Sequence, residues 1–457
     1  MKFDYDQLKK KKNIFFKDKF YDFIIIGSGP AAVTLYKKLL SIKNIKRKIL
    51  IIEEGDYLKK SYQNVISRNL KIKLKSRAFT VGGTSSIWAN ISSYFEDFEM
   101  EPRWKNSQLN LWPFKHKFLL EEYRRLDKKY EFSFNKLKKK NFDIPFQVRP
   151  FVASVKPKNF KQFINNNDVD LIYNCKVETI DETKKSAIAF TKNHKLKFTA
   201  KKIIVCCGGI ESVSLIQNSL SQKKLKNLKN KNIVGRYFMD HPKFSLGYLK
   251  YPKLDIINQL ELTKKNNKIF YFGVSLKKNI QRKYNVLNSY VRFEKSNSKI
   301  IRFFEKLNLS IMKNLIKKRS IYRVRLFCEM EPNFNNSITF KKNKTIVKLK
   351  LNNTDYKTIK LLSLNIKNFF SLKPKKESNF KFDNINNKIE GASHHMGGLR
   401  FDHNKNLSII DKNLKIIGLK NIYVCGSSIF PTSGSVNPTM TICALSNRLG
   451  DHLKKDY

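Results

Sequence analysis

Apolar positions along the chain fall into two regimes. In the first, continuous apolar runs end at glycine. Tyr21-Asp22-Phe23-Ile24-Ile25-Ile26 has the pattern of a parallel strand buried on both faces, and it runs directly into Gly27-Ser28-Gly29-Pro30-Ala31-Ala32. A helix over residues 31–41 follows, then a second strand over 48–52 that ends at Glu53. Residues 202–207 repeat the motif, entering Gly208-Gly209-Ile210-Glu211-Ser212, and so do residues 421–426, before an amphipathic helix over 440–453. The second regime covers residues 243–385, where Lys and Asn alternate with Ile, Leu and Phe and glycine is rare. Strands are expected there at 322–327 and 337–340. Residues 345–351 alternate at period two, and residues 354–370 have a helical apolar period. Residues 150–205 read as strand-rich, and Trp112-Pro113 opens a helix pattern through Tyr123 and Leu126.

These patterns predict an α/β chain. A Rossmann-like dinucleotide domain, discontinuous in sequence, is joined to an α+β domain built on an antiparallel sheet. The first is expected in three parts, 1–100, 151–242 and 386–457, with a helical substrate-side segment at 101–150 and the second domain at 243–385. No internal repeat and no long linker is apparent.

The 457 residues are enough for two domains with a substantial core, and 41% hydrophobic content argues for a folded globule. The formal charge of +55 suggests a polyanion partner. However, Lys and Asn are scattered throughout, the tracts at 9–12 and 138–140 are short, and no nucleic-acid-reading motif is present, so specific nucleic-acid binding is not expected. The charge suits weak peripheral attraction to an anionic membrane surface. None of the six cysteines forms a C-x-x-C pair, and most lie in apolar strand-like runs. They read as reduced core residues, without a disulfide frame or a metal site. With no spanning apolar run and no signal-type core, a cytoplasmic protein is expected.

Candidate chemistry lies at both ends of the chain. Gly27-x-Gly29-x-x-Ala32, between a strand and a helix, is a dinucleotide fingerprint. Gly27 permits the tight turn, Gly29 the close approach of a pyrophosphate to the helix N-terminus, and Ala32 the packing of helix on strand. Glu53, ending the second strand, suits a ribose. Gly82-Gly83-Thr84-Ser85 lets backbone amides approach a ligand, or is an ordinary glycine turn. Near the C-terminus, His394 and His395 stand side by side among glycines, and Asn437 precedes Pro438 and Thr439 at a helix start. An imidazole titrating near neutrality can take a proton from an alcohol, and a second polar side chain can hold that alcohol. His241, before Pro242, reads as structural.

Taken in order, these segments resemble the glucose-methanol-choline (GMC) family of FAD oxidoreductases, in particular its bacterial dehydrogenase-like members. The resemblance rests on the Gly27 fingerprint, Glu53, Gly82-Gly83-Thr84-Ser85, Trp112-Pro113, Gly208-Gly209, Gly235-Arg236, Asp240-His241-Pro242, and an H-x-x-G-x-x-R string on His394, Gly397 and Arg400. The family's second active-site position falls on Asn437. The resemblance implies bound FAD, with Gly208, Gly426, Ser427, Pro438 and Thr439 joining the residues above around it. It also implies oxidation of a hydroxyl group on an alcohol, sugar or glycan to a carbonyl. His394 would be the base, Asn437 would orient the substrate, and His395 would be the alternative base. Ile87 stands where some members carry the histidine that links FAD covalently, so noncovalent FAD is expected. Gly426 stands where many members carry Asp. The resemblance names no electron acceptor. A dioxygen-using oxidase is the alternative enzyme, and a flavin-binding protein without turnover, attached by charge to a membrane or polyanion, is the alternative of another class.

Overall fold

The structure is a computed structural model that describes residues 2–4, 19–41, 48–101, 112–137, 142–165, 169–250, 255–296, 321–371, 379–382 and 389–455. The lysine tracts at 9–12 and 138–140, and the expected boundary at 385/386, lie outside the described residues.

Among the described residues the chain forms two eight-stranded sheets and one of three strands. The first sheet runs β1 (Lys2–Asp4), β6 (Asp170–Tyr173), β3 (Ile49–Ile52), β2 (Phe20–Ile26), β9 (Lys195–Val205), β8 (Ser186–Phe190) and β7 (Lys176–Asp181), with β19 (Ile422–Val424) also paired to β9. The neighbours from β1 to β9, and the β9–β19 pair, are parallel; β7, β8 and β9 are antiparallel. The continuous apolar runs become its centre: Phe23 to Ile26, Ile49 to Ile52 and Ile203 to Val205 are all buried. Helix α1 (Pro30–Leu40) opens with Pro30, whose missing N–H costs nothing in a first turn, and buries Ala32, Leu35, Tyr36 and Leu39. α2 is His116–Tyr130 and α3 is Gly208–Ser221.

The second sheet is antiparallel throughout. It runs β11 (Thr263–Lys265), β12 (Lys268–Ser275), β13 (Ser289–Lys295), β14 (Ile321–Cys328), β10 (Pro242–Lys250) and β17 (Asn379–Phe382), with β18 (Glu390–Gly391) on β10 and β5 (Gln147–Ser154) on β12. The short helices α4 (Asp255–Leu260) and α5 (Lys278–Tyr284) lie between its strands in sequence. α6 (Asn353–Ser371) packs against β13, β14 and β17, with Ile359, Leu362, Ile366 and Phe370 buried at helical spacing. β5 straddles the expected 150/151 boundary and pairs with β12 along its whole length, so residues 151–154 lie in the second sheet. β15 (Ser337–Lys341) and β16 (Lys344–Leu349) form the three-stranded sheet with β4 (Ile66–Asn69), beside α3. The last helix, α7 (Thr439–Lys454), packs on α1. The expected combination of a discontinuous Rossmann-like domain and an antiparallel second domain is what the chain adopts.

Candidate active site

A cavity of about 750 Å³ opens at the C-terminal ends of β2, β3, β9 and β19 and extends to the face of the second sheet. Ligands of doubly wound sheets sit at the carboxyl ends of the parallel strands. Gly27 has φ +96°, and a Cβ there would meet the Cys206 carbonyl oxygen at 2.6 Å, so the turn requires glycine. By contrast, a Cβ on Gly29, Gly208 or Gly426 would meet nothing within 4 Å, because each presents bare backbone to the cavity. Glu53 is buried and lines the cavity. It accepts from Ser28 Oγ at 2.6 Å, Ser28 N at 3.0 Å and Gly55 N at 2.9 Å. Burial pushes its carboxyl up to about 7. Ser28 Oγ in turn accepts from Gly82 N at 3.0 Å, which ties the fingerprint to the second glycine loop.

Gly83, Thr84, Ser85, Ser427, Pro438 and Thr439 also line the cavity. Ser85 Oγ donates to Gly82 O at 2.6 Å and accepts from Phe160 N at 2.9 Å, so it also fastens its own turn. Ala32 and Gly82 are not among the lining residues. Ala32 is fully buried in α1, and Gly82 packs against Asn159, whose Oδ1 lies 2.1 Å from where a Cβ would be.

At the junction of the two sheets three polar side chains form a line. Asn437 Nδ2 lies 2.9 Å from His394 Nε2, and His394 Nδ1 lies 2.8 Å from Nδ1 of His241. His241 Nε2 lies 3.1 Å from the Ser433 carbonyl oxygen. This geometry fixes the protons. A carbonyl only accepts, so His241 carries hydrogen on Nε2. Burial depresses His241 to about 4, so its Nδ1 holds a lone pair at neutral pH. His394 must therefore donate from Nδ1. Burial, and then the neighbouring His241, holds His394 well below the usual imidazole range. Its Nε2 is thus a free lone pair facing the Asn437 amide.

Backbone pairing brings the two histidines together. Met239 and Met396 exchange amide bonds at 2.8 and 2.9 Å, and Ala392 N donates to His241 O at 2.8 Å. Buried Asp240 accepts from the amides of His241 at 2.7 Å, His394 at 2.8 Å and Ser393 at 3.3 Å. Burial raises its carboxyl to about 6. His395 also borders the cavity, but its Nε2 is buried without a hydrogen-bond partner among the described residues, 3.9 Å from Asp240 Oδ2. Its ring lies on Phe238, and its carbonyl accepts from Ser427 Oγ at 2.6 Å. Arg400 is buried beneath this loop, 2.9 Å from Asp402 and over the Tyr237 ring.

The segment before Asn437 is anchored on Glu99. One carboxylate oxygen accepts from Ser435 N at 2.8 Å, Ser435 Oγ at 2.7 Å, Asn288 Nδ2 at 3.0 Å and Arg149 Nη1 at 3.2 Å. Trp112 Nε1 donates to Thr432 Oγ1 at 2.8 Å.

Residues 354–446, which contain both the His394 and the Asn437 segments, match the family model described as GMC oxidoreductase. The C-terminal segment is similar to that of GMC oxidoreductases. The fold agrees. A solved formate oxidase superposes with a TM-score of 0.62 at 14% identity, over 96% of this chain and 99% of that one. A formate oxidase variant from Aspergillus oryzae RIB40, studied for FAD modification, gives 0.60 at 14%, with the same coverage. Pyridoxine 4-oxidase from Mesorbium loti gives 0.58 at 12%, over 94% of this chain and 99% of that one.

FAD is the expected cofactor of a GMC oxidoreductase, and the residues fit it. Three bare glycines face the cavity, a helix N-terminus points into it, and a buried carboxyl closes the second strand. Ile87 lines the cavity. The sequence reading missed Ser28 and His241. A His-Pro pair opening a strand carries no local sign of a partner 153 residues away.

Proposed function

We propose that this chain is a GMC-type flavoenzyme that oxidises the hydroxyl group of an alcohol or sugar to a carbonyl, with His394 as base and Asn437 orienting the substrate oxygen. The observation that carries this reading is the bond between Asn437 Nδ2 and a His394 Nε2 that bears a lone pair. A hydroxyl entering between them gives its proton to Nε2 and accepts from the Asn437 amide, and the two contacts together fix its rotation. The positive charge formed on His394 spreads through Nδ1–H to His241, and from there to the Ser433 carbonyl. FAD, when bound, supplies the acceptor for the hydride leaving the carbinol carbon. The glycines at 27, 29, 208 and 426, with Glu53, Ser427 and Thr439, would hold it. Ile87 supports noncovalent attachment, and six free cysteines among the described residues fit a reducing, cytoplasmic setting.

The test is the flavin spectrum under anaerobic conditions with a panel of alcohols and sugars. A band that bleaches with one compound, is lost in His394→Ala and is retained in His395→Ala supports the assignment. Loss of bleaching only in His395→Ala overturns it. A second reading, an oxidase using dioxygen, is favoured by the solved neighbours that carry the name oxidase. Hydrogen peroxide formed on readmitting air would select it over a dehydrogenase.

A further inference from the structure

The sheet face above the His394–Asn437 pair is cationic beyond what the fold needs. Register places Arg292 on β13 directly opposite Arg325 on β14, while Phe327 lies between Tyr290 of β13 and Lys243 of β10. Directly opposed residues share a face, and these five all line the cavity that contains His394 and Asn437. Two guanidiniums facing each other across strands destabilise a sheet unless anions offset them. Among the described residues the compensation is small. Glu294 serves both arginines, accepting from Arg292 Nε at 2.5 Å and lying 3.4 Å from Arg325 Nη1. Lys243 has no carboxylate at ion-pair distance among the described residues, and burial with neighbouring Lys73 and Arg325 lowers its pKa. Nearby Glu390 is already taken by Lys73, at 2.6 Å. Counting Lys73, four cations therefore share two carboxylates, Glu294 and the Glu390 that lies opposite Lys243 in register, and Arg325 Nε is buried without a hydrogen-bond partner among the described residues.

The forks are also held in place. The Arg292 guanidinium lies 4.8 Å from the Phe327 ring centroid and 5.2 Å from that of Tyr271, and Arg325 lies 5.4 Å from Phe327. Stacked, oriented guanidiniums suit an oxyanion better than a neutral polyol, because they present paired N–H donors to two oxygens at once.

We propose that the substrate hydroxyl belongs to an anionic compound, a hydroxy acid, sugar acid or sugar phosphate, whose carboxylate or phosphate is gripped by Arg292, Arg325 and Lys243 while its hydroxyl reaches His394. This rests on the hydroxyl-oxidation reading and names its substrate class.

The FAD-loaded protein is titrated at fixed ionic strength with matched sets: neutral sugars, the corresponding hexonates and hexuronates, short hydroxy acids, and sugar 6-phosphates. Binding is read by calorimetry and oxidation by anaerobic bleaching of the flavin. At least one charged member should bind about tenfold or more tighter than its neutral counterpart, as one charge-assisted hydrogen bond already provides. Arg325→Gln should bring that ratio towards one, and Arg325→Lys should restore part of it. The carboxylate and phosphate arms tell the two anions apart. Equal binding of charged and neutral members, or a preference that survives both Arg325→Gln and Arg292→Gln, overturns the inference. If charged members bind selectively but nothing bleaches the flavin, hydroxyl oxidation fails while the anion site stands. If neutral sugars alone bleach it, the reverse holds.

Discussion

At the scale of single residues, the decisive feature is a proton count. The Ser433 carbonyl dictates hydrogen on His241 Nε2, which dictates a lone pair on its Nδ1, which dictates hydrogen on His394 Nδ1. In the proposed mechanism His241 is a positioning residue that acts through His394. Its replacement by phenylalanine should lower the rate of flavin reduction by about 10- to 100-fold, a fraction of what general base catalysis supplies. The pH profile separates this role from mere packing. In the unsubstituted enzyme the acid limb of kcat/KM should lie below 6.5, because burial already depresses His394 and falling pH must protonate it before activity is lost. In His241→Phe the imidazolium loses the acceptor for its Nδ1–H, so the limb should move still lower while the plateau falls. His241→Gln, which can accept that hydrogen bond, should recover part of the rate. An acid limb near 6.5 in the unsubstituted enzyme, or no recovery with glutamine, would remove His241 from the mechanism.

This residue also marks where local reading of the chain ends. His394 and Asn437 were legible because each sits in a short string whose glycines, proline and arginine identify it. His241 was not, because its meaning depends on the pairing of residues 239–242 with residues 391–396.

Among the elements, the strands that were legible are those whose pattern states their environment. Buried parallel strands such as β2 and β3 are continuous apolar runs. β4, with the burial pattern eiee, carries no such mark, and its sequence does not suggest a strand. β5 was only half legible, since its first residues were read as part of a helical segment and the rest only as strand-rich, and its partner was not legible, because alternation states which face is buried and not which sheet is joined. Its place in the second sheet matters, since it delivers Arg149 between Glu96 and Glu99, where both carboxylates lie 3.2 Å away. Arg149 is buried, and those carboxylates raise its pKa further against the pull of burial. Glu99→Ala removes one of its two partners and four hydrogen bonds to one oxygen. Breaking a buried pair in this way costs about 3–5 kcal/mol, so urea unfolding should show a loss of that order. The same change removes both Glu99 bonds to Ser435, two residues before Asn437, and leaves its hydroxyl held by Arg149 alone, so the rate of flavin reduction should drop in the fraction that remains folded. Unchanged stability would mean that the loop is held by Trp112 and Thr432 instead.

For the whole molecule, the order of segments governs how it unfolds. The chain leaves the first sheet for β5, returns through β6 to β9, leaves again at β10, and comes back only at β19. Side chains bind the parts together: Trp112 to Thr432, Arg149 to Ser435, and His241 to His394. β10 and β18 of the second sheet also carry the strand ends next to the His241–His394 pair, which couples the second sheet to the segment leading back to β19. The flavin-free protein should therefore melt in a single transition. The residues proposed to hold FAD are drawn from segments near 27, 53, 83, 208 and 426, so binding should raise that one transition as a unit. FAD at 100 times its dissociation constant adds about 2.7 kcal/mol, and at about 2.1 cal/mol/K of unfolding entropy per residue this is a rise of about 3 °C for a chain of this length. Scanning calorimetry of flavin-free and FAD-loaded protein decides the matter. Two transitions, only one of which moves with FAD, would mean that the second sheet unfolds on its own. The cationic face would then be a separable unit, and its alignment over His394 would depend on the docking of the two sheets and not on the continuity of the chain.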